Sequence, residues 1–437
     1  MDRSYKDIIS SVKFSLANER YDTAIEYASK AVKLRANDAE AYSLLGTAYL
    51  LQEKDNDYQK AEQSFYKAIE LDNANGEYYF FLANSQFAQG ESRLADALAN
   101  YAKAEQVGCS AEVSQKINYV MGVINQVLGN NKSALVNYAK AQGLAAVSED
   151  NKDILLNKLE IYVQEGNLDE AENIARQLIN FSPEEFKYYH ILFQILMEQK
   201  KIDVAIEALN DAQAYSENYD ENYVEFVFDR VLADLGMSEI DSDNAQKWKD
   251  SAVEKLQELS KQHDLDKATR TEIEVTIAQI YITSGREEEA VSIFEDVAKL
   301  ADNELDEYIE SARYILSEYY NSKGNYKKVL EFAVELKKSS NFMYKYQGIY
   351  SEAYATKQIS EGDAGLIKKA RELYDWALAY FRQCMVEQPA DFIALSYRIR
   401  CYIDIGKIDR ANELLKVLPS ELQDSLREYI AEVEKGV

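Results

Sequence analysis

Few residues in this chain combine the type and the spacing that chemistry requires. His190 and His263 are its two histidines and lie far apart, so neither has a histidine neighbour for metal binding or proton relay. Cys109, Cys384 and Cys401 lack CxxC spacing and read as small buried hydrophobes. Gly362-Asp363-Ala364-Gly365, followed by Lys368 and Lys369, has the composition of a phosphate loop, but the spacing is wrong and no strand precedes it. Asp241-Ser242-Asp243-Asn244 opens like a calcium loop, yet the required Gly and the bidentate Glu at the twelfth place are missing. Glu287-Glu288-Glu289 suits the first turn of a helix, where carboxylates face the positive end of the dipole. Neither GxGxxG nor HExxH occurs. The expectation is a protein that is not an enzyme and carries no metal and no cofactor, so the remaining side-chain chemistry is recognition.

Charge narrows what could be recognised. The 437 residues carry 49 Lys+Arg against 76 Asp+Glu, a net charge of −27. Binding a phosphate backbone needs Lys and Arg to displace counterions, so nucleic acid is an unsuitable partner. An acidic field favours proteins or peptides with basic or mixed-charge surfaces, chiefly through on-rate. No run approaches the roughly 18 apolar residues of a membrane span, so membrane insertion is not expected. Met1-Asp2-Arg3-Ser4 leads into amphipathic sequence without the apolar core of a signal peptide. That suggests a cytoplasmic chain, or an extracytoplasmic one only if a signal or anchor upstream is missing.

The elements that would carry a recognition surface repeat along the chain. Ala24, Ala28 and Ala31 are followed by Ala61, Phe65 and Ala68, then Ala97, Tyr101 and Ala104, then Ala134, Tyr138 and Ala141. The pattern continues through Ala171, Ala205, Ala252, Ala290, Val329, Ala370 and Ala411. Steps of four and three residues share one helical face, where the small residue admits a neighbouring helix and the bulky one fills the space beside it. Each such helix follows another with its own pattern, clearest in Tyr42, Leu45, Gly46 and Tyr49. Short turns join the two, often at Gly: Gly129, Gly166, Gly285, Gly324 and Gly406.

These residues resemble the tetratricopeptide repeat (TPR) family, whose pattern is W-x2-L-G-x2-Y, then A-x3-F, then A, with a period of 34 residues. Tyr42, Leu45, Gly46, Tyr49, Ala61, Phe65 and Ala68 match it with Tyr for Trp, and Ala171 to Ala205 spans 34 residues. Pro183, Pro389 and Pro419 fall where second helices end, as the family often places Pro. About eleven repeats are expected, beginning near Tyr5, Ala39, Gly76, Gln115, Lys152, Phe186, Glu221, Thr271, Glu310, Met343 and Phe392.

The resemblance implies an all-α fold, a right-handed α-solenoid (superhelix) of stacked antiparallel helix pairs. The expected organisation is a single array over residues 1–437, an acidic insertion at 237–248 and a C-terminal capping helix at 420–437. Most of the 33 Tyr are expected to pack between repeats. In this family first helices line a concave groove that takes peptides. The corresponding candidates are Phe80, Asn84 and Phe87; Tyr119, Val123 and Gln126; Glu160 and Val163; and His190, Gln194 and Met197. Later repeats offer Gln279, Tyr314, Glu318, Asn321, Tyr344, Tyr354 and Arg400. One subfamily grips a peptide's carboxylates with Lys and Asn from its first repeats. Ile9, Lys13, Leu44, Glu77 and Phe81 occupy those places here, and Lys13 alone makes no such clamp. The implied function is a non-catalytic protein- or peptide-binding scaffold. The alternative is a ligand-responsive regulatory sensor, or an envelope-associated assembly factor, taken from a longer chain.

Overall fold

A computed structural model describes residues 3–54, 57–144, 150–215, 221–262, 264–301 and 303–435, and among them there is helix but no strand. His263 lies outside the described residues. The chain divides into two compact units, 1–226 and 227–437. Unit 1 holds α1 (Arg3–Ala17), α2 (Tyr21–Leu34), α3 (Ala39–Gln52), α4 (Asp57–Leu71), α5 (Gly76–Phe87), α6 (Leu94–Val107), α7 (Ala111–Val127), α8 (Asn131–Leu144), α9 (Asp150–Gln164), α10 (Leu168–Phe181), α11 (Phe186–Glu198) and α12 (Ile202–Ala212). The division falls inside α13 (Glu221–Ile240). Unit 2 continues with α14 (Ala245–Leu259), α15 (Lys267–Thr283), α16 (Glu287–Val297), α17 (Asp306–Ser322), α18 (Tyr326–Leu336), α19 (Phe342–Gln358), α20 (Ala364–Glu387), α21 (Phe392–Asp404), α22 (Ile408–Leu415) and α23 (Asp424–Lys435).

Each unit is an α-solenoid, and the repeated pattern is its core. Ala24, Ala28 and Ala31 of α2, Ala61, Phe65 and Ala68 of α4, Ala97, Tyr101 and Ala104 of α6, and Ala134, Tyr138 and Ala141 of α8 are all fully buried. The glycine of the first helix answers the bulky residue of the second. A Cβ on Gly46 would stand 2.7 Å from the Phe65 ring, and one on Gly122 would stand 2.5 Å from the Tyr138 ring. Only a hydrogen fits there, so the ring lies flat against backbone and the two helices close up.

Helix ends follow the sequence signals. The five turn glycines Gly129, Gly166, Gly285, Gly324 and Gly406 take φ between 68° and 73°. Asn167 and Asn325, each next to one of them, accept from Glu170 N and Lys328 N at 3.5 and 3.4 Å. The Gly362–Gly365 stretch is a cap rather than a phosphate loop: Asp363 Oδ1 takes the backbone N–H groups of Gly365 and Leu366 at 2.7 and 3.1 Å. Asp241 likewise ties its own turn, accepting from Trp248 Nε1 at 3.1 Å.

The stretch 237–248 differs from its reading as an insertion that interrupts helix. α13 runs through Gly236 to Ile240, and only Asp241 and the 3-10 turn Ser242–Asn244 separate it from α14. Lys255 Nζ donates to the buried Asp234 Oδ2 at 2.6 Å, tying α13 to α14, while one Gly inside a helix costs only about 1 kcal/mol. Near the C-terminus, Ser420 opens a 3-10 turn with no side-chain cap, and α23 starts at Asp424. Leu426 and Ile430 of α23 pack with Leu395, Ile399 and Leu415.

Candidate functional site

In unit 1 the first helices of neighbouring pairs touch directly, α1 with α3, α3 with α5, α5 with α7 and α7 with α9. They therefore form one continuous layer, and residues off their packing stripe share its outer surface. Six of the nine candidates lie on α5 and α7 of this layer, and His190, Gln194 and Met197 lie on α11. Phe80 is a correction: it is only 8% exposed, packed among Ala97, Tyr101 and Ile124 and 5.3 Å centroid-to-centroid from Phe81. Two adjacent Phe on α5 meet the small residues of α6, and burial of the large ring outweighs its nominal place on the open face.

The other positions in α5, α7 and α11 reach the surface to different degrees. Phe87 is 38% exposed. Asn84 is half-buried, and Tyr101 Oη donates to its Oδ1 at 2.6 Å. Tyr119 and Val123 are half-buried against the Tyr138 and Ala141 cluster. Gln126 is held at both ends: Tyr138 Oη donates to its Oε1 at 2.8 Å, and its Nε2 donates to Glu160 Oε2 at 2.9 Å. Burial pushes the Tyr138 hydroxyl well above the usual tyrosine range, so it stays a neutral donor. In α11, Gln194 is exposed and its Nε2 lies 2.8 Å from half-buried His190 Nε2, while Met197 is half-buried. Tyr119 also lines a cavity of about 100 Å³ with Gln115 and Lys116 of α7 and Asp153 and Ile154 of α9.

One feature of the layer escaped the sequence reading. Leu51 of α3, Phe87 of α5, Val127 of α7 and Val163 of α9 each sit in the last turn of a first helix, 43%, 38%, 62% and 44% exposed. They are exposed apolar side chains, one at the end of each of four successive first helices. The signal was available: each stands two or three residues before the residue with positive φ, namely Glu53, Gly90, Gly129 and Gly166. Asn84 and Glu160 stand one turn before Phe87 and Val163, and Gln126 immediately precedes Val127.

In unit 2 the first helices α15, α17, α19 and α21 also touch in succession. Gln279 lines a cavity of about 290 Å³ with Leu235, Ser238, Thr276 and Thr283. Tyr314 and Tyr344 pack ring to ring at 5.8 Å, and Tyr354 stacks on Tyr350 at 5.8 Å. Gln347 Nε2 donates to Glu318, and Asn321 and Arg400 are half-buried on the same layer.

Family models described as "Tetratricopeptide repeat" match this chain at residues 16–77, and at residues 153–185 and 275–304. Among solved structures the chain is similar to YrrB, reported as a TPR protein with an unusual peptide-binding site. That match has 21% identity, covers 45% of this chain and 95% of that one, and has a TM-score of 0.36. A tetratricopeptide repeat protein from Parabacteroides merdae matches at 18% identity, over 62% of this chain and 98% of its own, with a TM-score of 0.37. Pseudomonas aeruginosa pilF matches at 15% identity, over 52% and 97%, with a TM-score of 0.39. No curated protein matches the chain in sequence.

Proposed function

The chain belongs to the tetratricopeptide repeat family, and on that premise we propose that it is a non-catalytic scaffold holding an extended peptide against the first-helix layer of unit 1. The observation that carries this reading is the set Leu51, Phe87, Val127 and Val163, each exposed in the last turn of one of four successive first helices. Packed helix axes lie about 8–10 Å apart. A polyproline II segment turns once in three residues and advances about 9 Å per turn, so every third side chain would meet one member of the set. Asn84 and Gln126 supply hydrogen-bonding groups on the same helices for the peptide backbone, and His190 and Gln194 supply further ones on α11. A mixed or basic net charge suits such a peptide, because the −27 field speeds its approach.

The ends of the array fit the same scaffold role. We take α23 as its cap: Leu426 and Ile430 cover the last apolar face, while Arg427, Glu428 and Lys435 turn to solvent. The test of the function is selection of peptides on the wild-type protein, repeated with Asn84→Ala and Phe87→Ala combined. Peptides that bind the double variant as well as wild type would remove the site from this layer.

A further inference from the structure

α12 breaks a rule of charge spacing that α10 keeps. On α10, Glu172 and Arg176 stand four residues apart and pair at 2.9 Å. On α12, Asp203, Glu207 and Asp211 also stand at steps of four, and like charges at that spacing oppose a helix. Asp203 lies in the first turn, where the dipole favours it. Glu207 and Asp211 have no Lys or Arg three or four residues away. Among the described residues, neither makes a hydrogen bond or an ion pair. Nothing inside the chain offsets this conflict, which is the mark of a position kept for something outside it.

Glu207 and Asp211 line a cavity of about 330 Å³, together with Arg176 and Asn180 of α10 and Tyr189 and Leu192 of α11. That volume is at the low end of the roughly 300–1,000 Å³ of small-molecule pockets, room for one long side chain. Arg176 brings no free charge, because its Nε donates to Glu172 Oε1 at 3.0 Å. Lys201 in turn lies 2.8 Å from Glu172 and 4.0 Å from Asp169. Those two cations and two anions balance, so Glu207 and Asp211 remain as surplus negative charge. Tyr189 is a second, independent sign. It is only 7% exposed, yet its hydroxyl makes no hydrogen bond among the described residues. A tyrosine buried to this degree normally bonds through its hydroxyl, and the cavity it lines is where a partner can reach it. Burial, with Tyr215 and Asp211 adding to it, holds that hydroxyl above the usual tyrosine range and therefore neutral. Its ring stacks at 5.8 Å on the exposed ring of Tyr215.

We propose that this cavity, lined by α10, α11 and α12, is a docking site for an arginine side chain of a partner peptide. The uncommitted polar groups in it are acceptors: two carboxylates, the Tyr189 hydroxyl and the Asn180 carbonyl oxygen. A guanidinium is their complement, with five donors and no acceptor, and its fork fits a carboxylate with two parallel bonds. Its plane also stacks on tyrosine rings, which Tyr189 and Tyr215 supply. Lysine would meet the charge but neither the fork nor the stack. A metal ion is a poorer occupant, since no three His, Cys, Asp or Glu gather to hold one among the described residues. The charged residues of the site belong to second helices, so it stands apart from the first-helix layer and does not depend on peptide binding there.

The test uses the full chain and three probes: acetyl-Ala-Ala-Arg-Ala-Ala-amide and its lysine and citrulline counterparts, citrulline keeping the shape of arginine without its charge. Binding is followed at the methyl resonances of Val204, which lines the cavity, assigned by their disappearance in Val204→Ala. The arginine peptide is expected to shift them to saturation. The citrulline peptide should bind about 10-fold more weakly, as loss of a charge-assisted hydrogen bond requires. The lysine peptide should be several-fold weaker than arginine. Glu207→Gln with Asp211→Asn should erase the preference for arginine over citrulline, and Tyr189→Phe should weaken the arginine peptide several-fold. Both carboxylates are exposed and hold nothing in place, so their double variant should melt within about 2 °C of wild type.

Equal response to the arginine and citrulline peptides, or silence at Val204 with all three, overturns the proposal. So does a preference for arginine that survives the Glu207 and Asp211 substitutions, or a clear fall in their melting temperature, which makes the acids structural. Lysine binding as tightly as arginine overturns the assignment to a guanidinium, and unchanged affinity in Tyr189→Phe removes its hydroxyl from the site. Asn84→Ala combined with Phe87→Ala should respond at Val204 as wild type does. Silence at Val204 while the first-helix layer still binds peptide rejects this site alone. A Val204 response with no effect of the Asn84 and Phe87 substitutions on any peptide rejects the first-helix reading alone.

Discussion

Removing the Tyr429 hydroxyl should loosen the last helix without disturbing the helices before it. α23 has 12 residues, too few to be stable in isolation, so tertiary contacts must hold it. Two of these are the buried side chains of Leu426 and Ile430, worth about 1.5–3 kcal/mol each. The third is the bond from Tyr429 Oη to buried Asp404, whose carboxyl is raised by burial and partly restored by the Tyr429 and Tyr374 hydroxyls. A hydrogen bond to a charged group is worth about 1.5–3 kcal/mol, so Tyr429→Phe removes something like a third of what anchors the helix. Amide hydrogen exchange resolves this, because a solenoid opens locally and one melting temperature would blur it. Amides of α23 should exchange about 10- to 100-fold faster in Tyr429→Phe, with those of α19 and α20 unchanged. Unchanged exchange in α23, or equal acceleration from α19 through α23, would refute the reasoning. Asp404→Ala is the stronger perturbation: it leaves both hydroxyls without their acceptor, a loss of about 2–6 kcal/mol, and should loosen α20 and α21 as well.

Two further outcomes follow from geometry inside unit 1. Gly122→Ala sets a methyl 2.5 Å from the Tyr138 ring, and overpacking of this kind should cost about 1–3 kcal/mol, read as a lower urea midpoint with an unchanged slope. Glu62 has burial working to raise its pKa, but Gln86, Gln89 and Arg93 outweigh it and hold the carboxyl below the usual range. A depressed folded pKa adds stability above the unfolded value and loses it as pH falls through the folded one. The advantage of wild type over Glu62→Gln in urea should therefore be present at pH 7 and shrink below about pH 4; a gap that stays constant with pH would remove Glu62 as its source.

The sequence carried the repeated part of the fold because that part is local. Spacings of three and four residues in Ala61, Phe65 and Ala68 set the packing face, and Gly46 announces the ring that closes on it. All eleven expected repeat starts lie within four residues of the first residue of a first helix, among them Ala39, Gly76 and Phe392. What depends on a neighbouring helix was less legible. Phe80 and Asn84 occupy one face of α5, but only the room offered by Ala97 and Tyr101 decides that the first is core and the second is surface. Likewise, Arg400 and Asp404 stand four residues apart, the spacing of a helical ion pair. The pairing fails because tyrosines 30 residues before and 25 residues after Asp404 claim its carboxylate. The set of Leu51, Phe87, Val127 and Val163 was hidden for another reason: its members fall two or three residues before the turn, so no single repeat position displays them all.

The most direct test of the central claim is the affinity of a selected peptide for wild type and for the chain carrying Asn84→Ala with Phe87→Ala, measured by fluorescence anisotropy at fixed salt. Selected peptides should carry apolar residues at every third position, and the double variant should bind them about 10-fold or more weakly, the usual cost of losing a buried aromatic contact. Peptides without that spacing, or equal affinity for the two proteins, would contradict the account.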